Sequence, residues 1–91
     1  MVIENHIVDV EVPGPGLYEI TGDLNERLKA LQIESGLMTL FIQHTSASLL
    51  IQENADPSAK RDLEVWLNRL VPENDVIYSH VAEGADDMPA H

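Results

Sequence analysis

Two apolar runs with only a few residues between them constrain this chain more than any other feature. Leu37 to Gln43 (LMTLFIQ) is nearly continuous apolar, and Ser48 to Gln52 resumes the pattern after His44 and Thr45-Ser46-Ala47. Apolar runs of about four to eight residues read as buried strands. Both are far too short to cross a bilayer, which takes roughly 20 apolar residues in a helix. With so short a gap, the two segments are expected to pair directly or to continue around a bend.

The remaining pattern falls around this pair. Ile3 to Val12 alternates loosely, with Ile3, Ile7, Val8, Val10 and Val12 apolar, and reads as a first strand. Pro13-Gly14-Pro15-Gly16 is a strong turn signal, and Leu17 to Thr21 reads as a second strand closing a hairpin. Asp23 to Glu34 carries Leu24, Leu28 and Leu31 at helical spacing, with Thr21 or Asp23 as cap and Ser35-Gly36 as stop. A second helix starts at Asp56-Pro57 and runs to about Leu70, with Ala59, Leu63, Trp66, Leu67 and Leu70 on one apolar face; Pro72 ends it. Val76-Ile77-Tyr78 reads as a short strand, and His80 to His91 (HVAEGADDMPAH) as a loop. Strands therefore come in adjacent pairs, which favours an α+β fold with a mainly antiparallel sheet over a doubly wound one.

Length and charge narrow the class further. Ninety-one residues make a single domain, 1–91, with a modest core. There is no cysteine, so disulfides and thiolate metal sites are excluded. Sixteen acidic residues against five basic ones give a net charge of -11, and the cations Arg27, Lys29, Lys60, Arg61 and Arg69 are scattered. Nucleic acid and anionic membrane both require clustered Lys and Arg and are excluded as partners. Met1 to His6 has neither a positive start nor a long apolar stretch, so no signal peptide is read and the cytoplasm is the expected location.

Three places could carry chemistry. His44, at the end of a strand and followed by Thr45 and Ser46, suits a general acid/base or a metal ligand; the alternative is a histidine that satisfies a local backbone group in a turn. Glu53 and Asn54 lie at the entrance to the second helix, where Asp56 is best read as the cap. His80, Glu83, Asp86, Asp87 and His91 crowd twelve residues. Imidazole and carboxylate are ligands for a divalent ion, although a solvated acidic loop reads equally well from the pattern. Phosphate-binding Gly-rich loops and a GxSxG elbow are absent from the sequence, which leaves nucleotide binding by those routes and serine-hydrolase chemistry unsupported.

Four ordered motifs give the chain a resemblance to a known family. They are Gln43-His44-Thr45-Ser46-Ala47-Ser48-Leu49, Gln52-Glu53-Asn54-Ala55-Asp56-Pro57, Arg61-Asp62-Leu63-Glu64, and Tyr78-Ser79-His80 with Glu83-Gly84-Ala85-Asp86-Asp87-Met88-Pro89-Ala90-His91. Together they resemble the YjbQ family, also called the secondary thiamine-phosphate synthase family. The resemblance implies a mainly antiparallel β-sandwich with two flanking helices and a homotrimer. It implies a weak or side activity in which a thiazole phosphate displaces pyrophosphate from a hydroxymethylpyrimidine pyrophosphate. Carried over by position, His44, Asp86 and His91 are the expected catalytic residues and the expected ligands of a divalent ion (magnesium, manganese or zinc). Thr45, Ser46, Glu53, Asn54 and His80 are expected to bind the phosphorylated small-molecule substrate. Family members continue past the position of His91, so the chain reads as truncated at its C-terminus, with the C-terminal strands missing. Two other functions fit the same residues: a non-catalytic metal-binding module, and a metal-dependent phosphate-ester hydrolase.

Overall fold

A side-chain cap marks the start of the helix at Pro57–Leu70, whereas the helix at Thr21–Ala30 follows Ile20, which makes none, so neither Thr21 nor Asp23 is its cap. A computed structural model describes residues 1–53 and 55–91. It contains three helices, α1 (Thr21–Ala30), α2 (Pro57–Leu70) and α3 (Asp87–Ala90). In α2, Asp56 is the N-cap as expected. Its Oδ1 accepts hydrogen bonds from the Ser58 backbone N–H at 2.9 Å and from the Ser58 hydroxyl at 2.8 Å. Pro57 takes the first helical position, where a missing N–H costs nothing. At the other end the Val71 N–H donates to Leu67 O, and Pro72 follows.

The first helix ends earlier than the sequence suggests. Ser35-Gly36 is not its stop. Gln32 adopts φ 56, in the left-handed region, directly after the C-cap Leu31. The Gln32 N–H donates to Lys29 O at 3.1 Å and the Ile33 N–H to Leu28 O at 3.4 Å, the paired closure of a Schellman motif. Asp23 in the first turn and Arg27 and Lys29 in the last suit the helix dipole. Leu24, Leu28 and Leu31 form a half-buried stripe.

The expected β-sandwich does not form. Among the described residues there is no strand, and segments 3–12, 37–43, 48–52 and 76–78 follow irregular paths. A strand exists only through a neighbour that supplies complementary N–H and C=O groups, and none is provided here. At the expected hairpin the backbone is used differently. The Leu17 N–H, which the second strand could have offered to the first, donates instead to Glu64 Oε1 on α2 at 3.0 Å. Two prolines in the turn remove further donors. Tyr18 completes this arrangement, with its hydroxyl donating to Gly14 O at 2.7 Å and its ring 6.0 Å from Lys60 Nζ.

Without a sheet, there is no sealed interior. None of the described residues is buried, and no helix packs on another. Trp66, on the apolar face of α2, is 57% exposed. The radius of gyration is 16.9 Å, against about 12 Å for a compact domain of this length. The accessible surface of 8438 Å² likewise exceeds the roughly 5,300 Å² of a compact chain of this mass.

Two outcomes follow from these contacts. Replacing Glu64 with Ala removes a charged acceptor worth about 1.5–3 kcal/mol, and should release residues 13–18 from α2, read as faster amide exchange at Leu17. Hydrogen bonds from the Ser58 N–H and then its hydroxyl hold the Asp56 carboxyl below the usual aspartate range. A depressed carboxyl supports the fold above its unfolded-state value and loses that contribution as pH falls through the folded value. The Ser58 amide resonance should therefore titrate with its midpoint below the ordinary aspartate value. Asp56→Asn, which keeps an acceptor without a titrating group, should abolish that transition.

A candidate metal centre in the C-terminal segment

The last twelve residues were expected to be loop; they fold back on themselves and end in a turn of helix. Tyr78 fixes the start of this segment by donating its hydroxyl to Pro72 O at 2.9 Å. Asp75 helps by accepting from the Ile77 N–H through its side chain and from the Tyr78 N–H through its carbonyl. The chain then reverses at Gly84, whose φ of 116 is open to glycine and costly for other residues. A Cβ at that position would lie 3.3 Å from Asp86 Oδ1. Beyond it, the Ala90 N–H donates to Asp86 O at 3.3 Å, which forms α3.

This path brings three side chains together. Asp87 and His91 are four residues apart and share one face of α3. His80 approaches from before the reversal. Its Nε2 is 2.8 Å from Asp87 Oδ2, and His91 Nε2 is 3.4 Å from the same oxygen. The two rings stand edge to face, with centroids 5.5 Å apart. Asp87 Oδ2 is buried and accepts no hydrogen bond: both nitrogens are within ion-pairing reach, but neither is aligned to donate.

That geometry suits an ion. One ligand atom from each of His80, Asp87 and His91 lies within 4.8 Å of the other two. Zinc bonds to imidazole nitrogen and carboxylate oxygen at about 2.0–2.2 Å, which in a tetrahedral site sets donors roughly 3.3 Å apart. A buried carboxylate oxygen with no hydrogen bond carries a desolvation cost that a cation between it and the two nitrogens would offset.

The expected site residues divide unevenly. His80 and His91 enter the cluster, whereas His44 and Asp86 do not. Asp86 is exposed, precedes α3, and makes no side-chain capping bond. His44 sits in a turn with Thr45 and Ser46, and its Nδ1 accepts from the Ser46 N–H at 2.9 Å. With Nδ1 acting as acceptor, the neutral ring carries its proton on Nε2. It therefore offers a donor to a ligand rather than a lone pair to a metal. Glu53 is exposed, and Asn54 lies outside the described residues. Asp87 belongs to the same crowded acidic segment, in which the family resemblance points to Asp86. Its spacing of four from His91 becomes a signal only once residues 87–90 are read as helical.

His80, Asp87 and His91 are therefore a candidate ligand set for a metal ion among the described residues. The chain belongs to the UPF0047 YjbQ-like family, whose model matches residues 7–91. The UPF0047 protein sll1880 of Synechocystis sp. is 42% identical over 85 residues, covering 93% of this chain and 58% of that protein. The UPF0047 protein YjbQ of Salmonella typhimurium is 44% identical over 77 residues, covering 84% of this chain and 55% of its own length. The UPF0047 protein MJ1081 of Methanocaldococcus jannaschii is 34% identical over 58 residues, covering 64% of this chain and 42% of its own length. The chain thus spans about half the length of the curated relatives it matches. No solved structure matches it. Among the described residues, no helix is long and apolar enough to cross a membrane.

Zinc titration followed by nitrogen-15 NMR of the imidazoles should separate the histidines. The His80 and His91 signals should shift, while His44 should stay in place as the Nε2–H tautomer. A shift confined to His44 would remove the assignment.

Proposed function

We propose that this chain binds a divalent ion through His80 Nε2, Asp87 Oδ2 and His91 Nε2 and acts with it on a phosphorylated small molecule. The observation carrying this reading is the buried Oδ2 of Asp87, which has no hydrogen bond and faces two imidazole nitrogens. Two imidazoles and one carboxylate suit zinc better than magnesium, which prefers an all-oxygen shell. Three protein ligands are the number found in catalytic zinc sites, where one position stays open.

Charge makes the ion chemically useful here. At a net charge of -11, the chain repels a phosphorylated substrate. A bound divalent ion supplies the positive charge that phosphate oxygens and a departing pyrophosphate require. His80 and His91 hold it through their Nε2 atoms, and Asp87 supplies the counter-charge. The His44 Nε2–H and the hydroxyls of Thr45 and Ser46 are donors available for phosphate oxygens.

The family resemblance supports thiamine-phosphate synthesis as the reaction. A thiazole phosphate forms a bond to the hydroxymethylpyrimidine carbon as the bond to pyrophosphate breaks, and pyrophosphate leaves with the electron pair. A cytoplasmic homotrimer is the proposed working form. Because the chain spans about half of its relatives, pyrophosphate release should be measured together with zinc affinity. Asp87→Asn should weaken zinc binding by more than roughly 100-fold, beyond the 10–100-fold typical of outer-shell partners. It should also reduce release of pyrophosphate from the two precursors. Equal zinc affinity in the variant and the parent would sink the metal reading; retained affinity for zinc with turnover of simple phosphate esters alone would replace the synthase by a hydrolase.

A further inference from the structure

We infer that the notch between the Pro13–Gly16 turn and α2 binds a small primary alkylammonium ion, with the Glu64 carboxylate as its counter-charge. The notch has a volume of about 150 Å³ and is lined by Pro15, Gly16, Leu17, Glu64, Leu67 and Asn68. Its walls are preformed. Two prolines fix φ in the turn, and the Tyr18 hydroxyl donates to Gly14 O at 2.7 Å. The Leu17 N–H donates to Glu64 Oε1 at 3.0 Å, which joins the turn to α2 and orients the carboxylate.

That carboxylate has capacity to spare. Glu64 is half-buried, and the bond from Leu17 is the one hydrogen bond its side chain makes among the described residues. An ionised carboxylate has room for about four. No Lys, Arg or His nitrogen lies within 4.0 Å of it among the described residues. Lys60, one turn earlier on the same helix, stands with Nζ 6.0 Å from the Tyr18 ring centroid, and Lys before Glu is the weaker order for such a pair. A partly desolvated carboxylate in this state gains from a cationic donor. At a net charge of -11, the whole chain draws cations toward it.

Size and lining select the cation. Water takes about 30 Å³ per molecule in the liquid, so the notch holds roughly five non-hydrogen atoms. Pro15, Leu17 and Leu67 offer apolar surface to a short alkyl chain, and the Asn68 amide oxygen is a second acceptor for an ammonium group with its three donors. Gly16 keeps the carboxylate accessible, because a Cβ there would lie 3.4 Å from Glu64 Oε1. The notch shares no residue with His80, Asp87 and His91, so it stands or falls without the metal reading.

The test is a titration of the 91-residue chain, stripped of divalent ions with a chelator, with butylammonium chloride. NMR follows the Glu64 carboxyl carbon, the Leu17 amide and the Leu67 methyls. These signals should move together and saturate in the millimolar range, and binding should weaken as salt rises. Butan-1-ol, equal in size and uncharged, should bind roughly tenfold more weakly. Glu64→Gln keeps an acceptor for the Leu17 N–H and should also weaken butylammonium binding roughly tenfold, with the Leu17 amide still protected from exchange. Equal binding of the alcohol and the ammonium to the unaltered chain would overturn the proposal whatever the variant does. Unsaturable shifts spread over all the carboxylates, or undiminished binding in Glu64→Gln, would overturn it as well.

Discussion

The hydrogen bond from the Leu17 N–H to Glu64 Oε1 organises more of this chain than any other contact. It joins residues 47 apart in sequence, while the other side-chain hydrogen bonds among the described residues reach at most a few positions. It ties the backbone just after the turn at residues 13–16 to a helix side chain. Among the described residues, neither the segment before it nor the apolar runs further on form strands.

How much was legible in the sequence depends on how local each signal is. The start of α2 was readable because Asp56, Pro57 and Ser58 complete the cap among themselves. The end of α1 was not, because Gln32 takes a left-handed position usually assigned to glycine. The strands failed for a different reason. Apolar alternation reports a preference for a pleated, half-buried surface, and such a surface requires a partner that no single segment encodes. Family membership was legible because four motifs in a fixed order carry far more information than periodicity.

The candidate site shows the same division. Gly84 and Pro89 read as loop punctuation, yet one permits the reversal that brings His80 to α3 and the other lies inside that helix. Once the turn exists, Asp87 and His91 share a face and Asp86 points elsewhere, which moves the carboxylate of interest by one residue. His44 illustrates the converse. Its sequence context suggested a ligand, but its hydrogen bond to the Ser46 N–H assigns the lone pair locally and leaves a donor facing outward.

The exposed apolar run at residues 37–42 has a consequence of a colloidal kind. Leu37 is 95% exposed and Phe41 82% exposed, so this surface is not withheld from other molecules by burial. Mutual repulsion between chains of charge -11 opposes contact between such stretches. Repulsion of that sort reaches about 10 Å at 0.1 M salt and about 3 Å at 1 M. Dispersion of this protein is therefore a property of the surrounding electrolyte as much as of its own sequence.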